Sequence, residues 1–260
     1  MWSIGNEIIS PSVGTAQKLV NWVAEVDPTR PATQGFNNFI DGFWDSGVKK
    51  VAEVTGVVGL NYGERSYDAA HEQYPDWIIM GTETSSAVRS RGWYIDDDER
   101  KIRSNYDRGN TVSWGRAMES AWRENRDRKF IMGEFMWTGF DYIGEPSPYQ
   151  DQYPAKSSYF GAVDTAGIPK DAYYMYQSQW TTVEENPMVH ILPHWNWEND
   201  DSIKKDGKIA VQAYSNAASV ELFLNGESLG EKAFYQRKTS DGRSYQEGED
   251  KHIYLEWQVA

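Results

Sequence analysis

Short apolar runs alternate with amphipathic segments over the first 180 residues of the chain. Each run is apolar along its length and polar at its C-terminal end, and we predict a strand for each. The predicted strands cover residues 1–7, 30–35, 57–62, 77–83 and 130–137. Apolar strands that alternate with helices are typical of a parallel sheet covered on both faces.

Apolar residues at helical spacing predict the helices between these strands. The first helix follows Thr15, which we expect to cap it, and stops at Asp27-Pro28. The other predicted helices cover residues 48–54, 66–76, 115–124 and 170–180.

Polar residues at the C-terminal ends of the strands are typical of the active face of a (β/α)8 barrel. Five strands do not close such a barrel, and the chain starts within a strand. We therefore predict an α/β fold, the second half of a TIM barrel over residues 1–183. The remaining strands and any preceding domains are expected to lie outside this sequence.

Residues 84–129 interrupt this alternation with a charged, arginine-rich stretch. Two interpretations are equally open: a lid or wall at the barrel mouth, or a solvated insertion.

From about residue 184 the pattern changes to a period of two. Alternating stretches flank Asn225-Gly226, a dipeptide typical of a tight turn between two strands. We predict an immunoglobulin-like antiparallel β-sandwich over residues 184–260. Because the sequence ends in a predicted strand, it stays open whether this sandwich is complete.

Composition narrows the function. The formal net charge of −13 argues against nucleic acid and anionic membranes as partners, and no apolar run approaches the length of a membrane span. The absence of cysteine excludes disulfides, thiolate metal sites and a cysteine nucleophile. The 12 tryptophans and 16 tyrosines exceed what a core needs, which favours a flat neutral ligand such as a sugar ring.

Two glutamates end apolar strands, Glu7 in the run MWSIGNE and Glu83 in the run WIIMGTE. On a barrel both would face one central mouth, and two carboxyl groups there suit cleavage of a glycosidic bond. One donates a proton to the leaving oxygen and the other attacks the anomeric carbon. A separation of about 5–5.5 Å retains configuration, and a wider one inverts it. A glutamate at a strand end is also commonly a solvated side chain, so this alternative stays open.

Four motifs resemble glycoside hydrolase family 2, which includes β-galactosidases, β-glucuronidases and β-mannosidases. They are WSIGNE at the end of barrel strand four, GTETSS on strand seven, GEFMWTGFDYIGEPSPY on strand eight, and VHILPHWNW with VELFLNGESLG in the following sandwich. Their order is that of the family over nearly the whole chain. The resemblance implies that the chain begins at strand four of a longer enzyme.

The resemblance implies roles for six residues. Glu7 would be the acid/base, with a raised pKa, and Glu83 the nucleophile, kept ionised. The substrate-binding residues would be Asn6, Tyr62, Trp137 and Asp141. Asn6 would bind the sugar 2-hydroxyl, although it could instead cap a strand end.

Tyr62 would hold Glu83 in line, although it could instead be a core tyrosine. Trp137 would stack under the sugar and be followed by a cis peptide bond to Thr138. Asp141 would line the rim.

The implied activity is that of a retaining exo-β-glycosidase, most of all a β-galactosidase acting on terminal β-D-galactosides. Three alternatives remain: a β-glucuronidase or other glycosidase of the family, a non-catalytic carbohydrate-binding protein, and an inactive truncated fragment. The expected partner is a carbohydrate, and the exposed sheet edges leave a homo-oligomer open.

No metal site is predicted, since only His190 and His194 are close in sequence, and a structural role suits them better. A magnesium ion stays open for the longer parent. The family resemblance favours a periplasmic or secreted location without excluding a cytoplasmic one.

Overall fold

The structure, a computed structural model, describes residues 1–37, 46–108, 112–145, 147–151, 157–197 and 200–260. Contacts divide the chain into two units. The first comprises Met1–Ser86, Trp114–Arg116 and Ser120–Trp137, and the second comprises Ala87–Ser113, Ala117–Glu119 and Thr138–Ala260. This division differs from the predicted domains, because the helix near residue 175 belongs to the second unit. The predicted domain boundary at 183/184 stays a prediction.

The first unit contains a five-stranded parallel sheet whose strands lie in chain order. Its strands are β1 (Trp2–Asn6), β2 (Ala32–Phe36), β3 (Val57–Asn61), β4 (Ile79–Ser85) and β5 (Ile131–Trp137). The predicted parallel sheet is therefore confirmed. Parallel neighbours in chain order bring the C-terminal ends of all five strands to one edge.

The chain has five described α-helices, each close to a predicted one. They are α1 (Val13–Val26), α2 (Ser46–Val54), α3 (Tyr67–Gln73), α4 (Met118–Arg126) and α5 (Asp171–Trp180). The expected capping residue of α1 was wrong. Ser12 caps this helix, because its hydroxyl accepts the backbone N–H of Thr15. The helix ends before Asp27, as predicted.

A hydrophobic core joins α1, α2 and α3 to the sheet of the first unit. Its fully buried members include Val51 on α2, Tyr67 on α3, Leu60 on β3 and Ile79 on β4. Side chains alternate across a strand, so Asn61 projects from the opposite face to Leu60. The sheet therefore packs one face against helices and presents polar groups on the other at its C-terminal edge.

The second unit contains antiparallel strands. They are β6 (Val189–Leu192), β7 (Ile209–Ser215), β8 (Ser219–Leu224), β9 (Glu227–Ala233), β10 (Tyr235–Lys238), β11 (Ser244–Glu247) and β12 (Leu255–Val259). They form a three-stranded sheet β12-β7-β6 and the hairpins β8-β9 and β10-β11. Asn225 and Gly226 connect β8 and β9 with positive φ angles of 51° and 88°, as the predicted turn requires.

The core of these strands forms between the three-stranded sheet and hairpin β8-β9. Val211 on β7 and Trp257 on β12 are buried, and Val220 and Leu222 of the hairpin pack against this cluster. Strands β10 and β11 were not predicted. All four residues of β10 are exposed, so the sequence carries no alternating apolar signal there. In the described part of the chain, we find no helix suited by length and composition to cross a bilayer.

Two adjacent isoleucines test the position of the core of the first unit. Ile79 is fully buried and Ile78 is 53% exposed. We expect Ile79→Ala to lower the free energy of unfolding by about 2–5 kcal/mol, because it removes buried methyl groups and leaves a cavity. The matched variant Ile78→Ala should cost less than about 1 kcal/mol. Urea unfolding of the protein that carries this chain measures both, and equal losses would contradict the described register.

Candidate active site

The side chain of Asn61, at the end of β3, connects three strands. Its Nδ2 donates to Oδ1 of Asn6 and to Oε1 of Glu7, both at 3.0 Å. Its Oδ1 accepts the hydroxyl of Thr82 at 2.7 Å. Asn61 is fully buried, so these bonds satisfy an amide that has no access to water.

A bulge between β3 and β4 places Glu83 beside this amide. Leu60 pairs with Gly81, but the next residue, Asn61, pairs with Glu83. The extra residue, Thr82, is accommodated within β4. A bulge of this kind re-aims the side chains that follow it. It allows both Thr82 and Glu83 to serve the side of the sheet on which Asn61 projects.

Gly35 on β2 provides the space in which the two asparagines meet. A Cβ atom at this position would lie 2.6 Å from Oδ1 of Asn6 and 2.8 Å from Oδ1 of Asn61. Contacts this short are essentially forbidden, so any larger residue would displace the two amides. The glycine is therefore part of the construction of the site.

Several residues at the C-terminal edge of the sheet have left-handed backbone conformations. Glu7 has φ 48°, Tyr62 has φ 54°, and Ser85 and Ser86 have φ 66° and 55°. Cross-strand bonds hold two of them: the N–H of Glu7 donates to the carbonyl of Gly35, and that of Tyr62 to the carbonyl of Glu83. Such strain clusters at functional sites, where the surrounding structure maintains it.

Tyr62 and Glu83 form a direct pair. The Tyr62 hydroxyl donates to Oε2 of Glu83 at 2.8 Å. Burial and the negative charge of Glu83 raise the pKa of Tyr62, so the hydroxyl keeps its proton and acts as a donor. The expected role of Tyr62, which is to hold the nucleophile in line, stays a prediction.

Opposing effects act on the pKa of Glu83. Burial raises this pKa, and the charge of Glu7 raises it further. The bond from Tyr62 and the amides of Asn6 and Asn61 lower it. The net direction is upward. The effect of Glu7 on Glu83 shows that the charge of Glu7 reaches the Glu83 carboxyl group.

Trp137 lies at the C-terminal end of β5, on the edge of the sheet that carries the two glutamates. It is in register with Ser85 on β4 and is half-buried. Its stacking role stays a prediction. The cis peptide bond expected after it was wrong, since the cis bonds in the described ranges precede Pro148 and Pro193. The bond between Trp137 and Thr138 is trans, as expected for a residue other than proline, because a cis bond there costs about 2.5–4 kcal/mol.

Asp141 belongs to the second unit, where its carboxylate already has partners. Its Oδ1 accepts the buried Lys170 Nζ at 2.7 Å and the backbone N–H of Gly161 at 2.8 Å. Asp141 itself is 7% exposed. Its expected place at a substrate-binding rim stays a prediction, and the contacts shown are those of a buried ion pair.

Sequence reasoning did not select Asn61, Thr82 or Gly35 as site residues. A signal existed for Asn61, because it is the first polar residue after the apolar run VVGL. Thr82 and Gly35 gave no comparable signal, since their roles depend on a bulge and on a close approach between strands.

The described residues contain no group of three histidine, aspartate or glutamate side chains arranged to hold a metal ion. The chemistry available at the strand ends is that of two carboxyl groups with amide and phenol donors. A carboxyl pair can transfer a proton and attack an electrophilic carbon, which are the two steps of glycoside cleavage.

Comparisons with known proteins agree with this chemistry. The chain is 39% identical over 234 residues to beta-galactosidase BoGH2A of Bacteroides ovatus, covering 83% of the chain and 26% of that protein. It is 24% identical over 250 residues to a beta-glucuronidase of Bacteroides fragilis, covering 89% of the chain and 32% of the relative. Residues 206–260 match a family model described as a domain of unknown function, DUF4982.

Solved structures give the same result. A beta-glycosidase from Bacteroides vulgatus superposes with a TM-score of 0.71 at 28% identity, covering all of this chain and 36% of that structure. A glycosyl hydrolase family 2 member from Bacteroides cellulosilyticus gives a TM-score of 0.59 at 26% identity, covering all of this chain and 29% of that structure.

These matches confirm the resemblance seen in the motifs, and the chain belongs to glycoside hydrolase family 2. It spans only about a quarter to a third of the length of the two curated relatives.

Two variants should move the pKa of Glu83 in opposite directions. Tyr62→Phe removes a hydrogen bond to the charged carboxylate, so the pKa of Glu83 should rise. Glu7→Gln removes a neighbouring negative charge, so the same pKa should fall. Carbon-13 NMR titration of labelled glutamate measures both. Shifts of the same sign would mean that Glu7 and Tyr62 do not act on Glu83 as described.

Proposed function

We propose that this chain carries the catalytic residues of a retaining exo-β-glycosidase, with terminal β-D-galactosides as the preferred substrates. The observation that carries the proposal is the network at the strand ends, in which Asn61 bonds to Glu7 while Tyr62 bonds to Glu83. The preference for galactosides is supported by the GTETSS and GFDYIGEP motifs and by the relative BoGH2A.

In the first chemical step, Glu7 donates its proton to the glycosidic oxygen while Glu83 attacks the anomeric carbon. The C1–O bond breaks, the aglycone leaves as an alcohol, and the sugar is held as an ester of Glu83. In the second step, Glu7 takes a proton from water, and the resulting oxygen attacks C1. The ester bond breaks, and both carboxyl groups return to their starting states.

The electrostatic effect of Glu7 on Glu83 fits this division of roles. The charge of Glu7 raises the pKa of Glu83, so protonation of Glu7 removes that repulsion and favours an ionised nucleophile. Tyr62 also favours the ionised form through its hydrogen bond. The active state then has one proton on the pair, held by Glu7.

The substrate-binding roles follow from the same edge of the sheet. Asn6 is exposed, and its Oδ1 accepts from the Asn61 amide. Its own amide also bonds to Glu83, and its second hydrogen would donate to the sugar 2-hydroxyl. Trp137 would provide an apolar floor against the C–H face of the ring.

For the fold, we propose that the parallel sheet is the second half, strands four to eight, of a (β/α)8 barrel. The antiparallel strands after residue 183 would form an immunoglobulin-like sandwich. Singly wound parallel strands in chain order and a two-layer antiparallel core support this assignment.

A β-glucuronidase is the second candidate function, favoured by the similarity to the Bacteroides fragilis relative of that name. The chemistry at C1 would be unchanged, and a cation that binds the sugar carboxylate would be needed in addition. Parallel assays with aryl β-D-galactoside and aryl β-D-glucuronide distinguish the two. Binding of either sugar without hydrolysis would instead favour a carbohydrate-binding protein.

The two glutamates should respond differently to the leaving group. Glu7→Gln should lower kcat for an alkyl β-galactoside by about 10²–10⁴-fold, because a poor leaving group needs the proton. It should affect the first step with a dinitrophenyl glycoside little, because that aglycone leaves unprotonated. Glu83→Gln should abolish hydrolysis of both substrates. Stopped-flow release of the aglycone by the protein that carries this chain measures the first step.

Controls make this assay specific. Glu72 is an exposed helical glutamate, and Glu72→Gln should be indistinguishable from the unmodified protein. A 2-deoxy-2-fluoro galactoside should add its sugar to the peptide that contains Glu83. If the label were found on another residue, or if Glu83→Gln kept its activity, the assignment of the nucleophile would be wrong.

A further inference from the structure

A set of polar side chains that includes two glutamates lies on the opposite side of the sheet from Asn61, behind the end of β4. It consists of Glu64, Tyr67, Thr84 and Glu134, which we call the rear cluster. Glu64, Tyr67 and Thr84 are each at most 3% exposed, and Glu134 is half-buried. The proposed reaction uses none of these groups.

Thr84 and Glu134 form the central contact of the rear cluster. The Thr84 hydroxyl and Oε2 of Glu134 are 2.9 Å apart, and the same hydroxyl lies 3.4 Å from the carbonyl oxygen of Phe135. This contact connects β4 to β5 where their register is irregular, between the pairs Gly81–Glu134 and Thr84–Met136. The side-chain bond therefore holds together a segment of β4 and β5 where the regular backbone pairing of the two strands is interrupted.

Gly81 provides the space for this contact. A Cβ atom on Gly81 would lie 2.6 Å from Cγ2 of Thr84 and 2.6 Å from the Tyr67 hydroxyl, and 3.5 Å from Cβ of Glu134. Each of these three side chains therefore approaches the bare backbone of β4. Gly81, two residues before Glu83, therefore leaves the space that the side chains of the rear cluster occupy.

We propose that Glu134 is a positioning residue for the nucleophile: through Thr84, it fixes the irregular end of β4 that carries Glu83. Thr84 follows Glu83 directly in the chain, and their side chains serve opposite faces of the strand. A shift of Thr84 would turn the backbone that orients the Glu83 carboxylate toward Tyr62.

The surroundings of Glu134 favour its neutral form. Burial raises the pKa of Glu134 to about 7, the bond from Thr84 lowers it, and the charge of Glu64 raises it again. Tyr67 also faces Glu134, while Arg116 and Glu124 act on Glu64, and Arg128 and Glu124 act on Tyr67. The Thr84 hydroxyl donates to Oε2 of Glu134, and a neutral carboxyl keeps an oxygen that accepts this bond.

This protonation has a signature in stability. The pKa of Glu134 in the folded protein lies above the ordinary 4.5. The unfolded state therefore loses this proton first as the pH rises. The stability that Glu134 contributes is full below pH 4.5 and is lost as the pH rises to about 7. Glu134→Gln should flatten the profile of stability over this window, and the exposed control Glu72→Gln should not.

The positioning role rests on the proposed function and is tested by kinetics in the protein that carries this chain. Glu134→Leu and Thr84→Val should each slow inactivation by a 2-deoxy-2-fluoro galactoside by about 10–100-fold, since small misplacements of reacting groups have effects of this size. Glu134→Gln should keep the unmodified rate, because the amide oxygen of glutamine can still accept the bond from the Thr84 hydroxyl. The double variant Glu134→Leu/Thr84→Val should lose no more than the single variants, because both break one contact.

The outcomes separate the two proposals. If the unmodified protein hydrolyses no glycoside, the proposed function fails, and the stability profiles still report on Glu134. If the protein is active but Thr84→Val and Glu134→Leu react at the unmodified rate, the positioning role is wrong. Equal losses in Glu134→Gln and Glu134→Leu would also overturn it. Should Glu134→Leu not fold, Thr84→Val and Glu134→Gln decide the question.

Discussion

The buried amide of Asn61 is the constraint on which the candidate site depends. One side chain donates to Asn6 and Glu7 on β1 and accepts from Thr82 on β4. An amide without these partners would be costly in a place that water does not reach. The buried Asn61 amide therefore has all its hydrogen-bond partners only when the ends of β1, β3 and β4 are arranged as they are here. A carboxylate held in this way needs little rearrangement when a substrate binds.

The scaffold maintains this arrangement against local strain. Glu7 and Tyr62 have positive φ angles, and conformations of this kind cost on the order of 1–3 kcal/mol each. Backbone bonds to the neighbouring strand hold both residues. The sheet that carries them contributes a buried core that offsets this strain, with Leu60 and Ile79 fully enclosed against the helices. Packing on one face of the sheet thus stabilises unusual geometry at its edge.

The acidic groups of the first unit are separated by the sheet into two environments. Glu7 acts on Glu83 on one side, where amide and phenol donors moderate the charge of Glu83. Glu64 is buried and Glu134 is half-buried on the other side, where desolvation dominates and raises the pKa of both. The first pair suits proton transfer and nucleophilic attack. The second suits a neutral hydrogen-bonding role in support of the strand that carries the nucleophile.

The pattern of apolar and polar positions was sufficient to predict the parallel strands, the helices between them and most antiparallel strands that follow. Residues at strand ends, such as Glu7 and Glu83, could be selected because parallel strands bring their C-terminal ends to one edge. The exposed strand Tyr235–Lys238 escaped prediction, since neither of its faces carries an apolar signal. A periodic pattern of apolar residues predicts a strand only where one face of the strand is buried.

The amino-acid sequence alone establishes which residue types are available at the strand ends, because strand periodicity and the order of elements are local properties. They do not establish that Asn61 joins two glutamates, that Gly35 clears the space for it, or that Glu134 lies behind Glu83. Those relations arise from the bulges in β4 and from close contacts between strands distant in sequence. Non-local packing sets them, so they become visible only when the strands are placed side by side.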